Sequence, residues 1–447
     1  MKAEDNDLLT RVEDDAPMGA ALRRYWHPVL RASRLEPGGA PVRVRLLGDQ
    51  FVAFKSPEGR LGFVDEYCPH RAASLALARN EPEGLRCIFH GWVTDTDGSV
   101  VDVPTMPKDK ACAFLKTIKT SRYSVREAGG IVWACLQPEG SAPEFPAFEF
   151  TALDTSQVDF RIAVMRCNWV QGMESVLDSA HLGFLHRGQL LRSFTDPLTA
   201  EGFKTNYGSA SEVTAPDLEI EQRPYGFREA ALRALPGGKV YAKIREFVAP
   251  YYVFLPGNPE TRQRRILCAS VPIDDETCAQ WFVYYNLDGP PSQQELADRW
   301  AFATANPDNF YENPGDASNH WHQDRDAMKS GHFSGFPNRH IFHEDFIAQE
   351  SMGPIVDRTR ENLNLSDRVI VHTRRNLLES ARGIASGRAP WGLAEQSAID
   401  YGRVRSGALF LEPGQDWRTV DFHALAAQDA AKNAINEALA HHNPQVI

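Results

Sequence analysis

The 447-residue chain is long enough for two or three domains, and 43% hydrophobic and 10% aromatic residues allow large cores. Forty-eight basic against 59 acidic residues leave a formal net charge of −11, which excludes a general nucleic-acid binder, because such proteins displace phosphate counterions with a basic surface. No run approaches the roughly 18 apolar residues of a membrane span, the polar start MKAEDNDLL has no signal core, and seven cysteines, few and odd in number, suit reduced thiols or metal ligands in a cytoplasmic protein.

The first stretch reads as antiparallel hairpins. Val42, Val44 and Leu46 alternate, Gly48-Asp49 signals a turn, Val52 and Phe54 alternate again, and Pro57-Glu58-Gly59 turns the chain before Leu61 and Phe63. Inside this β-rich region, CPH at 68–70 is followed after sixteen residues by CIFHGW at 87–92. Each loop offers one thiolate and one imidazole: Cys68 and His70, then Cys87 and His90. Such a set suits a two-iron, two-sulfide cluster, with both thiolates on one iron and both imidazoles on the other. Neutral imidazoles in place of thiolates raise the reduction potential. A structural zinc site also uses two Cys and two His, but zinc fingers keep like ligands together in sequence.

The β pattern continues to Ile131-Val132-Trp133. Pro138, Gly140, Pro143 and Pro146 then mark a linker between a first domain, residues 1–150, and a second, residues 151–447. Arg161 to Cys167 reads as a strand and Asn168 to His186 as a helix. That helix ends in D-x-x-H-x-x-x-x-H. Asp178 and His181, three apart, would share a helix face. His186 lies about 140° further round, so both imidazoles converge only if the helix distorts or ends between them, which Gly183 would permit. Two histidines and a carboxylate make the facial triad of non-haem iron oxygenases, with open positions for O₂ and substrate.

Two hairpins follow, Arg228–Leu235 with Val240–Val248 about Gly237-Gly238, and Ile266–Val271 with Trp281–Tyr285 about Asp274-Asp275. Lys243 and Arg245 alternate on one strand face, which is either a cavity wall suited to a substrate carboxylate or the solvent face. Helices start near Ser292, at the Ser366/Asp367 cap with Ile370, Leu377 and Ala381 on one stripe, and after Asp421. The second domain is therefore α+β, an antiparallel sheet with packed helices. Spacing leaves the third iron ligand open among Asp324, Asp326, Glu344, Asp345, Glu350 and Asp357. His320 and His322, in HWH, read as surface or structural residues.

Both motifs, in this order, resemble the Rieske ring-hydroxylating oxygenases over nearly the whole chain. The phthalate dioxygenase-like branch is the nearest match, through DNDLLTRV, PMGAALRRYWHPVL, VRVRLLGDQFVAF, CPHRAASL and QESMGPIVDRTRENL. Ala72 and Phe89 depart from the usual CPHRG and C-x-Y-H. The resemblance implies a helix-grip catalytic domain and a [2Fe-2S] cluster on Cys68, His70, Cys87 and His90. It implies a mononuclear iron on His181, His186 and Asp345, the last chosen by the family's E-D segment before Q-E. Asp178 would bridge to a cluster histidine, here His90, of a neighbouring subunit. No role follows for Glu174. A homotrimer, or a hexamer of stacked trimers, is implied too. No G-x-G-x-x-G follows a strand, so a separate NADH-dependent reductase with flavin and [2Fe-2S] would supply electrons. The expected activity is hydroxylation of an aromatic, carboxylated substrate as a dioxygenase. Monooxygenation such as aryl ether O-demethylation uses the same fold and metals, and an electron carrier without catalysis would need only the first domain.

Overall fold

The computed structural model describes residues 1–428 apart from 139, 189–212, 236–237, 257–263, 302, 312–314, 338 and 395–398. Helices α1 (Ala3–Thr10) and α2 (Pro17–Leu22) precede ten short strands: β1 (Trp26–Arg31), β2 (Val42–Leu46), β3 (Asp49–Lys55), β4 (Leu61–Asp65), β5 (Arg79–Glu81), β6 (Gly84–Arg86), β7 (Val93–Thr94), β8 (Val100–Asp102), β9 (Tyr123–Ala128) and β10 (Ile131–Pro138). They form three antiparallel sheets, β1-β10-β9, β2-β3-β4 and β5-β6-β7-β8. Alternation explains the second: Val44 and Leu46 are buried while Arg43 and Arg45 face water. Its first turn is centred on Leu47 and Gly48, one residue earlier than expected, and both have positive φ (54° and 85°). That is the two-residue hairpin geometry whose twist matches the strands. Helix α3 (Lys108–Leu115) covers the metal-loop end of this unit.

The second unit is built on one eight-stranded antiparallel sheet. Its strands are β11 (Val158–Met165), β12 (Asp217–Arg223), β13 (Gly226–Ala234), β14 (Val240–Val248), β15 (Tyr252–Leu255), β16 (Arg264–Pro272), β17 (Cys278–Asn286) and β18 (Gly407–Leu411), in the order β11-β17-β16-β15-β14-β13-β12, with β18 also on β14. The helices around it are α4 (Trp169–Leu177), α5 (Gln293–Arg299), α6 (Arg325–Lys329), α7 (Ile341–Ser351) and α8 (Arg368–Gly383). Ser292 caps α5 with Glu295 in a capping box, and Ile370, Leu377 and Ala381 of α8 are buried. The helix after Asp421 spans 422–428, and its expected continuation lies outside the described residues, as does Gly237 of the β13–β14 turn.

One apolar core runs from Leu9 and Trp133 through Phe148 to Trp281, joining the N-terminal strands to the large sheet. Helices α1 and α2 pack on α8 of the second unit. A smaller core beneath the metal-binding loops holds Val52, Phe54, Leu85 and Trp92. The chain is thus α+β, a small β unit with one short helix over its metal-loop end, followed by a large antiparallel sheet with helices. No helix among the described residues is long and apolar enough to cross a membrane.

Candidate metal centres

The two cysteine–histidine loops are built alike. In each, the cysteine N–H donates to the carbonyl five residues on (Cys68 to Ala73, Cys87 to Trp92, both 2.9 Å), and the cysteine carbonyl accepts from the residue four on (Ala72, Gly91, both 2.9 Å). The closing position is left-handed in both, at φ 75° for Gly91 and 56° for Ala72. Cys68 and Cys87 are buried, and the His70 and His90 rings stand 4.5 Å apart at 77°. Burial, with the Cys87 thiol beside it, pushes Cys68 up to about 11, so a metal arriving here displaces protons. His70 Nδ1 is buried without a hydrogen-bond partner among the described residues, as a metal-ligating nitrogen would be. The donor set fits a [2Fe-2S] cluster. Trp92 stacks on His70 at 4.5 Å and 8°, while Ile88 and Phe89 at the loop tip are 61% and 55% exposed.

The second centre starts from α4. Asn168 caps it, accepting from Val170 N–H and donating to the carbonyls of Thr10 and Asp275 (3.0 and 2.7 Å). The helix lies on the sheet at Gly172, where a Cβ would fall 2.2 Å from Gln280 Nε2. It ends at Leu177, before the motif, and not at His186 as the sequence suggests. The cause is Asp178, whose carboxylate accepts the N–H of Ala180 (2.7 Å) and of His181 (3.3 Å) and so competes with the helix. His181 then opens a 3₁₀ turn ending at Gly183, which has no positive φ. This break brings the two rings to 5.0 Å and 80°.

Helix α7 supplies the carboxylate opposite them. Asp345 Oδ1 lies 3.4 Å from His181 Nε2 and 3.2 Å from His186 Nε2. One ligand atom from each of the three falls within 4.8 Å of the others. Asp345 Oδ1 is buried with no well-formed hydrogen bond among the described residues, so three donors converge on one point and fit a metal ion. Behind the rings stand two more carboxylates, Asp178 at 3.4 Å from His181 Nδ1 and Glu344 at 2.8 Å from His186 Nδ1. Burial lowers the His186 pKa, but Asp345 and Glu344 outweigh it and lift the ring to about 9. Burial likewise raises Asp178, and His181 with the Ala180 amide holds it below the usual carboxylate range.

The other candidate carboxylates have different work. Asp324 and Asp357 cap turns, Asp326 pairs with Lys329 (2.8 Å), and Glu350 pairs with Arg166 (2.7 Å). Glu174 binds Arg358 (3.1 Å) and Arg374 (2.6 Å), tying α4 to α8. His320 and His322 sit in left-handed backbone (φ 50° and 57°) and join no group of metal-ligating side chains among the described residues.

A cavity of about 440 Å³ opens on the triad, with Phe282, Tyr284 and Phe346 among its walls. Lys243 and Arg245 are buried and line it, so the solvent-face reading of that strand is set aside. They differ in what they do. Arg245 binds Glu229 (2.7 Å), the carbonyl of Val176 (2.8 Å) and the Ser179 hydroxyl, so its charge holds the Asp178 segment against the sheet. Arg233 donates to the Ser179 carbonyl (3.1 Å). Burial, with Arg233 and Arg245 nearby, pushes Lys243 down to about 7 against the pull of Glu229. Sequence reasoning missed Glu229 and Arg233; Glu229 pairs with Arg245, a register one residue away from the one a Gly237-Gly238 turn gives.

Residues 25–121 match the Rieske [2Fe-2S] domain family, and residues 134–441 match the family described as LigXa C-terminal domain like. The chain belongs to the Rieske oxygenases. It is 36% identical to the phthalate 4,5-dioxygenase oxygenase subunit of Pseudomonas putida, over 96% of both chains. It is 34% identical to the 3-chlorobenzoate-3,4-dioxygenase oxygenase subunit of Comamonas testosteroni, over 93% of this chain and 96% of that one. The 5,5'-dehydrodivanillate O-demethylase oxygenase subunit of a Sphingobium species is 31% identical, over 90% and 85%. Among solved structures, the oxygenase in an oxygenase–ferredoxin complex of carbazole 1,9a-dioxygenase shares the fold at TM-score 0.53 and 18% identity, over 88% of this chain and 97% of that one. A Rieske oxygenase is an oxidoreductase that incorporates O₂, and its cofactors are a Rieske [2Fe-2S] cluster and a mononuclear non-haem iron.

Proposed function

We propose that this Rieske oxygenase dihydroxylates an aromatic ring bearing a carboxylate. The observation that carries the reading is buried charge beside the triad. Arg233, Lys243 and Arg245 are buried on one face of β13 and β14, and Lys243 and Arg245 line the cavity that opens on the triad. Buried cationic side chains at a cavity wall suit a substrate that carries a carboxylate. The phthalate and 3-chlorobenzoate enzymes named among the relatives support this class.

In this reading Cys68, His70, Cys87 and His90 hold the cluster, and His181, His186 and Asp345 hold the iron. When bound, the two centres together supply electrons and O₂ activation. The chain's own residues do the rest. Lys243 fixes the carboxylate, Phe282 and Phe346 flank the ring, and Arg245 keeps the Asp178 segment in place. Asp178, 30% exposed on its side chain, faces outward enough to meet His90 of a neighbouring copy in a trimer or a hexamer of stacked trimers. Electrons would come from a separate NADH-dependent reductase with flavin and [2Fe-2S], in the cytoplasm. The domain boundary near residue 150 follows the proline-rich linker. The O-demethylase relative supports a second reading, monooxygenation of an aryl ether, on the same residues.

A single turnover tests both. The reduced, iron-loaded protein receives aromatic acids or aryl ethers and then ¹⁸O₂. Two labelled oxygens in one product support dihydroxylation. One labelled oxygen, or loss of a methyl group, moves the protein to the second reading. Cluster oxidation with no product from any carboxylated aromatic refutes the substrate class.

A further inference from the structure

Glu344 and Asp345 are consecutive on α7, about 100° apart round the helix, yet both meet the same imidazole. Asp345 Oδ1 lies 3.2 Å from His186 Nε2, and Glu344 Oε2 lies 2.8 Å from His186 Nδ1. The Glu344 side chain is 0% exposed and the His186 side chain 1%. The second Glu344 oxygen accepts the Ser334 hydroxyl, so both of its oxygens are engaged. A carboxylate only accepts hydrogen bonds. Nδ1 of His186 therefore carries a hydrogen, and Nε2, on the side of Asp345, is the nitrogen a metal would take. His181 is held differently. Its Nδ1 contact to Asp178 is longer, at 3.4 Å, and that carboxylate also serves two backbone amides and is 30% exposed.

We infer that Glu344, steadied by Ser334, is a positioning residue that locks His186 in the Nδ1–H tautomer and thereby sets how tightly the triad retains its metal. This rests on the reading that His181, His186 and Asp345 hold the iron. Glu344 touches neither substrate nor metal and acts through His186. The triad then has a fixed half, His186 on a buried carboxylate, and an adjustable half, His181 on a partly exposed one. Carboxylates placed behind metal-binding histidines typically govern affinity by 10–100-fold.

The test measures Fe(II) affinity by anaerobic chelator competition, and Co(II) absorption at the same site, in cluster-loaded protein. Glu344→Gln keeps the volume and removes the charge. It should weaken Fe(II) binding by about 10–100-fold and alter the Co(II) spectrum, with the cluster absorbance unchanged. Ser334→Ala should weaken it by a smaller factor. His181→Ala is the control for the triad itself. Glu344→Gln binding as tightly as the parent, while His181→Ala loses the metal, overturns the inference and leaves the triad reading standing. Equal binding by His181→Ala and the parent overturns both. If Glu344→Gln fails to fold, Ser334→Ala decides: weaker Fe(II) binding supports the lock and unchanged binding refutes it.

Discussion

Lys243→Met should make the protein more stable and a poorer catalyst at once. Burial and two neighbouring arginines bring the ammonium from its ordinary 10.5 down to about 7. At about 1.36 kcal/mol for each pH unit, that gap corresponds to roughly 5 kcal/mol against the charged form. The sign follows from the depressed folded value. The destabilisation is complete below about pH 7, where folded and unfolded chains both carry the proton, and it fades as pH rises toward 10.5. Methionine removes it, so the gain is about 5 kcal/mol at pH 6 and about 2 kcal/mol at pH 9. A unit of roughly 300 residues has an unfolding entropy of about 0.6 kcal/mol per degree, giving melting increments of about 8 °C and 3 °C as upper bounds. The same change removes a charge-assisted hydrogen bond to the proposed substrate carboxylate, worth about 1.5–3 kcal/mol or roughly 10–150-fold in KM. Differential scanning at the two pH values and steady-state kinetics check both halves. An unchanged or lower Tm at pH 6 refutes the assignment of a buried, destabilised ammonium. A stabilised variant with an unchanged KM refutes the carboxylate anchor.

Three further outcomes are expected. Glu229→Gln leaves Arg245 buried without this carboxylate and should cost about 3–5 kcal/mol, read as a fall in Tm of about 5–8 °C; a drop of less than a degree would sink the idea that this pair holds the Asp178 segment. Ala72→Gly relieves a left-handed alanine, at roughly 1–2 kcal/mol, against the added chain entropy of glycine, about 0.5–1 kcal/mol; the guanidinium midpoint for cluster bleaching should rise slightly, and a fall would show that the loop tolerates Ala72 without strain. Asp178→Asn should slow cluster reoxidation at least about tenfold in stopped-flow single turnover, with the cluster spectrum intact, and unaltered reoxidation would remove Asp178 from the electron path.

The parts of this molecule that were legible in the sequence are those whose geometry is local. Cys68 with His70, and Cys87 with His90, lie within single loops, and the twin hydrogen bonds that shape those loops span only four or five residues. Alternation placed β2, whose burial has period two, while β13, β14, β16 and β17, buried on both faces, were bounded by the turn signals between them. The helix over 168–186 was overdrawn because apolar periodicity outweighed a local competitor. Asp178-Ser179 is an Asx-type stop, and the carboxylate takes the amides that another helical turn would have used. What spacing alone left open, and only the resemblance chose, depends on how α7 crosses the large sheet. Glu344 and Asp345 have the same charge and adjacent positions, and composition cannot say which faces the metal side of His186.

The same dependence on register explains the cation cluster. Lys243 and Arg245 were visible as a stripe, but their meaning turned on the partner strand. Because β13 and β14 pair with Glu229 against Arg245 and Ala231 against Lys243, Glu229 meets the arginine directly. Lys243 has the Ala231 methyl group opposite it in the strand pairing, and burial, Arg233 and Arg245 lower its pKa against the pull of Glu229. Had the hairpin slipped by two residues, Glu229 would stand across from residue 243 or 247 instead, and the cavity would meet a neutral ion pair or an exposed carboxylate. Under the proposed function, recognition of a carboxylated substrate is therefore a property of strand register as much as of residue type.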